Sequence, residues 1–379
     1  MSLRERMRGT DSEARARELY RKYGVVDNPF PAAGQPSGHP RLEDAVDDEI
    51  EGRVRRFEAD RRTSQVVLIE GTQGVGKTNL LNYYEEQFRD YYKEDEAFYI
   101  IRYYPDPEPT FDSVLRKVFQ SLDQGHFERI GRALATRDDG FRNEVKEIAR
   151  SHEVRIVLNS LESAGDDAEE MQVRARLALD WFVGLRLLKQ HRETLGVSFR
   201  LDTVESRTQA LRDIVYISEK LDLLKGVLLL LDELEKQDYS LSKTPVLRFI
   251  SAIRALIDAL PRCVFLMLAI TPQARLRYFA MLPALAGRLQ DRITLTPIGD
   301  FGEAMKLFGF YVEHGRRLAR VEPRMADVSP GAAEALSEGE LESMFGELWD
   351  ESEARGIEGV TQRDFLHSVH AAWEARVGG

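Results

Sequence analysis

Residues Gln65-Val66-Val67-Leu68-Ile69-Glu70 lead directly into Gly71-Thr72-Gln73-Gly74-Val75-Gly76-Lys77-Thr78. The first run has the composition of a buried β-strand. The second is a complete G-x-x-x-x-G-K-[ST] loop, a pattern that cradles nucleotide phosphates. Gly71, Gly74 and Gly76 let successive backbone N–H groups turn inward around an anion, Lys77 brings positive charge to the β- and γ-phosphates, and the Thr78 hydroxyl is a ligand for Mg2+. Thr72, Gln73, Val75 and Asn79 complete the segment expected to bind nucleotide. Chance supplies such a pattern in about 1% of chains this long. Here an apolar strand precedes it, and Asn79 to Phe88 follows with apolar residues at helical spacing. A glycine turn that only connects a strand to a helix is the competing reading, and the context disfavours it.

A phosphate loop used for hydrolysis needs a partner strand ending in acid, since Mg2+ takes a carboxylate and the attacking water takes a base. Leu228-Leu229-Leu230-Leu231-Asp232-Glu233 supplies both. Asp232 is expected to hold the metal, directly or through water, and Glu233 to polarise the water. A structural ion pair with Lys236 or an arginine competes for Glu233. A third apolar strand ends Leu268-Ala269-Ile270-Thr271-Pro272, which puts Thr271 at the carboxyl edge where open α/β sheets bind ligands. Thr271 as a plain helix N-cap before Pro272 is an equal alternative. Arg288, within Pro283 to Ile293, is expected to complete a neighbouring subunit's site by stabilising the transferring phosphoryl group, with Arg292 as its rival and a solvated surface arginine as the bland alternative. Arg363 follows Thr361 at the start of the last helix. A cation is electrostatically awkward there, which points to a role at the nucleotide.

The 379 residues and 43% hydrophobic content suit two or three globular domains with a sizeable core. Cys263 is the single cysteine, so no intrachain disulfide or cysteine zinc site is possible, and a reducing cytoplasm fits. The charged N-terminus is unlike a signal peptide, and the longest apolar runs are strand-length, so a soluble protein away from membranes is expected. A net charge of −11 argues against coating nucleic acid over the whole surface. Three basic groups remain as local candidates or solvated helix faces: Arg4 to Lys22, Arg53 to Arg62, and Arg316 to Arg324. The acidic stretch from Asp327 to Glu358 should repel DNA.

Strands alternating with helices, each strand apolar throughout, indicate a parallel sheet covered on both faces. The expected organisation is an N-terminal helix and linker (1–40), an α/β core (41–109 and 223–298), a helical insertion (110–222) and a C-terminal helical lid (299–379). Within the insertion, helices are read at Phe111 to Leu122, Phe141 to Ala149, Met171 to Lys189 and Thr203 to Leu221. In the lid they are read at Gly302 to Arg320, Gly331 to Leu336, Leu341 to Arg355 and Thr361 to Arg376.

With those elements in that order, the chain resembles the AAA+ ATPases: Walker A at Gly71 to Thr78, Walker B at Leu228 to Glu233, a sensor-1-like Thr271, an arginine-finger-like Arg288 and a sensor-2-like Arg363. Within that class, Tyr23-Gly24 and Asn28-Pro29-Phe30 look like the lead-in of transposition-regulator ATPases. Leu195 to Ser198, Leu211 to Glu235 and Thr361 to Phe365 look more like ATP-binding proteins of BREX-type phage-defence systems. The resemblance implies an α/β P-loop NTPase using ATP and Mg2+, assembling as a homo-oligomeric ring or filament. It further implies a plausible association with DNA and with a protein effector, in defence or mobile-element biology. The domain-sized insertion between Lys77 and Asp232 departs from a minimal core. A nucleotide-gated scaffold that hydrolyses little and recruits a partner through that insertion is the alternative.

Overall fold

The computed structural model describes residues 10–32, 44–60, 63–104, 111–234 and 243–377. Arg4, Arg6, Arg8, Arg61, Arg62, Glu235 and Lys236, together with the linker from 33 to 43, lie outside the described residues. The chain divides into two compact units: Ala45–Glu70 with Tyr84–Ile293, and Met1–Asp44 with Gly71–Tyr83 and Thr294–Gly379.

In chain order the elements begin with α1 (Thr10–Tyr23), α2 (Asp44–Ala59), β1 (Gln65–Glu70), α3 (Lys77–Tyr91) and β2 (Phe98–Tyr103). Next come α4 (Phe111–Ala135), α5 (Asp139–Ile148), α6 (His152–Ser163), α7 (Ala168–Val183), α8 (Lys189–Leu195) and α9 (Val204–Lys220). Then come β3 (Gly226–Leu231), α10 (Lys243–Ala259), β4 (Val264–Ile270), α11 (Pro272–Met281), α12 (Pro283–Ala286) and β5 (Arg292–Thr294). The C-terminal helices are α13 (Phe301–Arg320), α14 (Glu338–Ala354) and α15 (Gln362–Val377).

The strands lie in the order β2-β3-β4-β1-β5. β2, β3, β4 and β1 are mutually parallel. Every residue of β3 and β4 is buried, as their unbroken apolar sequences require of strands covered on both faces. Glu70 aligns with Ile270, Leu231 with Leu268 and Tyr103 with Leu231, so the strands end together at one carboxyl edge. A phosphate loop leaving β1, with β4 between β1 and the acid-tipped β3, makes this an α/β P-loop NTPase fold. It is a parallel sheet flanked by helices, with a helical C-terminal region.

Helices α4 to α9 and the sheet share one apolar cluster, which includes the stacked rings of Phe119, Phe127 and Phe182 as well as Leu229 and Leu266. Several helix limits differ from those read in the sequence. The helix from Phe111 continues past Leu122 to Ala135 through a break at Asp123 (φ 61°), whose carboxylate accepts the His126 amide and restarts the helix. The run from Met171 stops at Val183, not Lys189, because Gly184 turns left-handed (φ 85°) and closes the helix end. Gly331 to Leu336 is not helical. Its backbone is instead drawn to the end of α1, with the Gly331 amide donating to Tyr20 O and that of Ala333 to Lys22 O.

In the other unit, Tyr23, Phe30, Phe308, Tyr311 and Trp373 form an aromatic core. Asn28 fixes the N-terminal segment there. Its amide donates to His370 O and Glu374 Oε1, and its own oxygen accepts the Phe30 amide.

Candidate nucleotide-binding site

The loop from Gly71 to Thr78 opens α3, so its backbone amides run into a helix N-terminus, the natural seat of an anion. Gly74 and Gly76 adopt φ of 86° and 98°, conformations that side chains disfavour. Lys77 is buried, and its Nζ donates to Gly71 O at 2.8 Å and Thr72 O at 3.0 Å. Thr72 Oγ1 is buried with no hydrogen-bond partner among the described residues. Thr78 is half-buried and Asn79 buried beside it, while Gln73 is exposed at the tip and Val75 anchors the turn in the core.

The start of α15 rests on this loop. The Arg363 amide donates to Gly74 O at 3.1 Å, and Thr361 Oγ1 caps α15 by accepting the Asp364 amide at 3.1 Å. Gln362, buried, packs its amide against Gly76 closely enough that a Cβ there would meet Gln362 Cδ at 3.0 Å. The antiparallel bridge between Ile298 and Val360 holds this turn in place. Arg363 is thus beside the loop by its backbone, with an exposed side chain. Gln362 was not singled out in the sequence. A polar residue at the first helical position carries no signal until the helix end is seen against glycine.

At the carboxyl edge of the sheet, Asp232 is buried and both of its oxygens are engaged. Oδ2 accepts from Arg102 Nη2 at 2.8 Å and Oδ1 from the Glu233 amide at 2.8 Å. Arg102, at the end of β2, is buried too and lies 3.9 Å from Glu85 Oε2. Arg102 was not singled out in the sequence, although an arginine inside Phe98-Tyr99-Ile100-Ile101-Arg102-Tyr103 is a polar interruption that calls for a buried partner. Glu233 takes the left-handed conformation (φ 46°) and is half-buried, a backbone cost that side chains rarely bear. Thr271 accepts the Ala274 amide and caps α11, with Pro272 at the first helical position.

Arg288 is exposed and paired with Asp258, its Nε donating to Oδ1 at 2.9 Å. Arg292, its rival, donates to Glu70 Oε2 at 2.9 Å. Arg275 of α11 donates to the other oxygen of the same buried carboxylate at 2.8 Å. Glu70, the last residue before the loop, therefore clamps α11 and β5 together.

Thr78 and Asp232, taken singly, each carry an oxygen donor of the kind hard cations take. Among the described residues no group of three or more His, Cys, Asp or Glu is placed to hold a metal. No helix among the described residues is long and apolar enough to cross a membrane.

No protein-family model matches the chain, and no curated protein matches it. Among solved structures it is similar to the Aeropyrum pernix ORC2 protein in its ADPNP-ADP complexes, at a TM-score of 0.42 and 11% identity over 90% of this chain and 69% of that one. The ADP form of the same protein gives a TM-score of 0.39 and 12% identity over 89% of this chain and 70% of its own. Likeness at this level carries no inference about activity or partners.

Proposed function

We propose that the protein is a Mg2+-dependent ATPase of the AAA+ class, working as a cytoplasmic homo-oligomer associated with DNA in phage defence or mobile-element biology. One observation carries the ATPase reading: the strand that feeds the complete phosphate loop and the strand that ends in Asp232-Glu233 finish in register at one sheet edge, separated only by β4. The narrower assignment to defence or transposition is supported by the sequence resemblance alone.

In this reading the loop amides and Lys77 hold the β- and γ-phosphates, with Lys77 exchanging the carbonyls of Gly71 and Thr72 for phosphate oxygens. Thr78 and Asp232 hold Mg2+, which when bound supplies Lewis-acid stabilisation of phosphate charge. Glu233 orients the attacking water and takes its proton. Thr271 contacts the γ-phosphate or that water, and Arg363 reaches the nucleotide from the lid. Arg288 acts in trans, which makes assembly an activity switch.

A second reading, a nucleotide-gated scaffold with slow turnover, is favoured by the Arg102–Asp232 pair, since a carboxylate engaged at both oxygens is less available to a metal. Replacing Glu233 by Gln tests the choice. An ATPase loses most of its turnover while keeping MgATP affinity and assembly. Unchanged turnover in Glu233→Gln assigns the protein to the scaffold class.

A further inference from the structure

The sheet-bearing unit contains a cavity of about 740 Å³ beside the end of β2. Helical periodicity dictates one wall. Val114, Leu115, Val118 and Phe119 of α4 turn into the core, so Arg116, Lys117 and Gln120 turn outward along the cavity. Helix α3 adds Glu85 and Arg89, and β2 adds Arg102 and the adjoining Tyr104.

Among the described residues, four cations, Arg89, Arg102, Arg116 and Lys117, line this space with two carboxylates, Glu85 and Asp112. Both carboxylates are already shared. Glu85 serves Arg89 at 2.9 Å and Arg102 at 3.9 Å, while Asp112 serves Arg116 at 3.0 Å and also pairs with Arg207. Among the described residues, and with Asp232 counted against Arg102, the cations lining the cavity still outnumber the carboxylates, on a chain of net charge −11. Tyr104 is 57% exposed, with the Arg102 guanidinium 4.8 Å from its ring centroid. A cation-backed aromatic face beside spaced guanidinium and ammonium donors matches the two halves of a nucleotide, the base to stack and the phosphate to pair. The volume falls in the range of about 300–1,000 Å³ typical of small-ligand sites.

We propose that this cavity binds a nucleotide unit, either a free nucleotide or one residue of a single nucleic-acid strand, and that its phosphate competes with Asp232 for Arg102. Arg102 belongs to both places: it lines the cavity and it donates to Asp232 Oδ2. An anion in the cavity draws the guanidinium away and frees that oxygen for the metal. The coupling rests on the role proposed above for Asp232. The binding does not.

The test is fluorescence anisotropy of fluorescein-labelled oligothymidylate and of fluorescein-labelled AMP, without Mg2+ or ATP. Wild type is compared with Arg116→Glu/Lys117→Glu, with the milder Arg116→Gln/Lys117→Gln, and with Tyr104→Ala. Charge reversal is expected to weaken binding at least about tenfold and to lower the slope of log K against log salt by roughly two. The glutamine pair is expected to fall between, and Tyr104→Ala to weaken binding at least about fivefold. An effect seen with oligothymidylate identifies a strand as the source, and one confined to AMP identifies a free nucleotide. Binding of both probes that is indifferent to all three variants overturns the site. Calorimetric titration of MgATP with and without saturating probe then reads the coupling, expected as tighter MgATP binding when the cavity is filled. Variant-sensitive probe binding with unchanged MgATP affinity overturns the coupling alone. Failure of MgATP to bind under any condition overturns the ATPase reading and leaves the cavity site standing.

Discussion

Arg102 Nη2 lies 2.8 Å from Asp232 Oδ2, with the two side chains 2% and 1% exposed. β2 and β3 are neighbours in parallel register, so an arginine near the end of one meets an aspartate just past the end of the other. The pair holds the carboxylate proposed to bind metal in one orientation inside an apolar sheet. Breaking a buried pair strands a charge, whereas replacing both partners with apolar groups need not. Arg102→Leu is expected to lower the unfolding free energy by about 3–5 kcal/mol, and Arg102→Leu/Asp232→Leu to recover most of it. Urea denaturation of the four proteins of this cycle measures both. Equal destabilisation in the single and double variants contradicts a paired role.

Gly76 combines a φ of 98° with close packing against Gln362. Gly76→Ala is expected to cost about 1–3 kcal/mol in stability and to weaken MgATP binding. Gln362→Ala in the same chain relieves the contact but not the backbone strain, so it restores only part of the loss. Full rescue would show that the backbone conformation matters little.

The pairing of Arg288 with Asp258 occupies the arginine within its own chain, and the proposed role in trans requires it to leave that carboxylate. Arg288→Ala is expected to reduce ATP turnover by about 10³-fold with MgATP affinity held within about twofold. Asp258→Asn is expected to raise turnover at low protein concentration. Steady-state assays across a concentration series check both, and a loss in Arg292→Ala alone would reassign the role.

The features legible in the sequence were those written in contiguous residues. Gly71 to Thr78 fixes loop, strand and helix at once, and Leu228 to Glu233 reads as a buried strand with an acidic end. Helix ends were less legible. The break at Asp123 and the stop at Gly184 depend on single backbone conformations that hydrophobic periodicity does not register. The segment from Gly331 departs from the helix its sequence suggests because its amides pair with the end of α1, a contact distant in sequence. Arg102 and Gln362 escaped notice for the same reason: each matters through a partner on another element.

His126 is wholly buried between Tyr99 OH, 2.6 Å from Nδ1, and Ser218 Oγ, 2.8 Å from Nε2. Arg129 donates to the same Tyr99 hydroxyl, an arrangement that favours the tautomer in which the tyrosine donates to Nδ1 and Nε2–H donates to Ser218. Burial, aided by the Arg129 charge, pushes the imidazole down to about 3 from an ordinary 6.5. Because the folded value lies below the unfolded one, the stabilisation from the neutral ring is complete above about pH 6.5 and is lost as pH falls toward about 3. The expected slope approaches about 1.4 kcal/mol per pH unit within that window. Urea midpoints from pH 7 to pH 4 are expected to fall more steeply for wild type than for His126→Gln. Parallel curves contradict the assignment.

Isothermal titration of the intact protein with MgATP, wild type against Lys77→Ala, reaches the central claim. Binding of wild type with one triphosphate per chain, lost or weakened at least about tenfold in Lys77→Ala, is the expected result. No heat with wild type, or equal affinity in the two proteins, contradicts a phosphate site at Gly71 to Thr78.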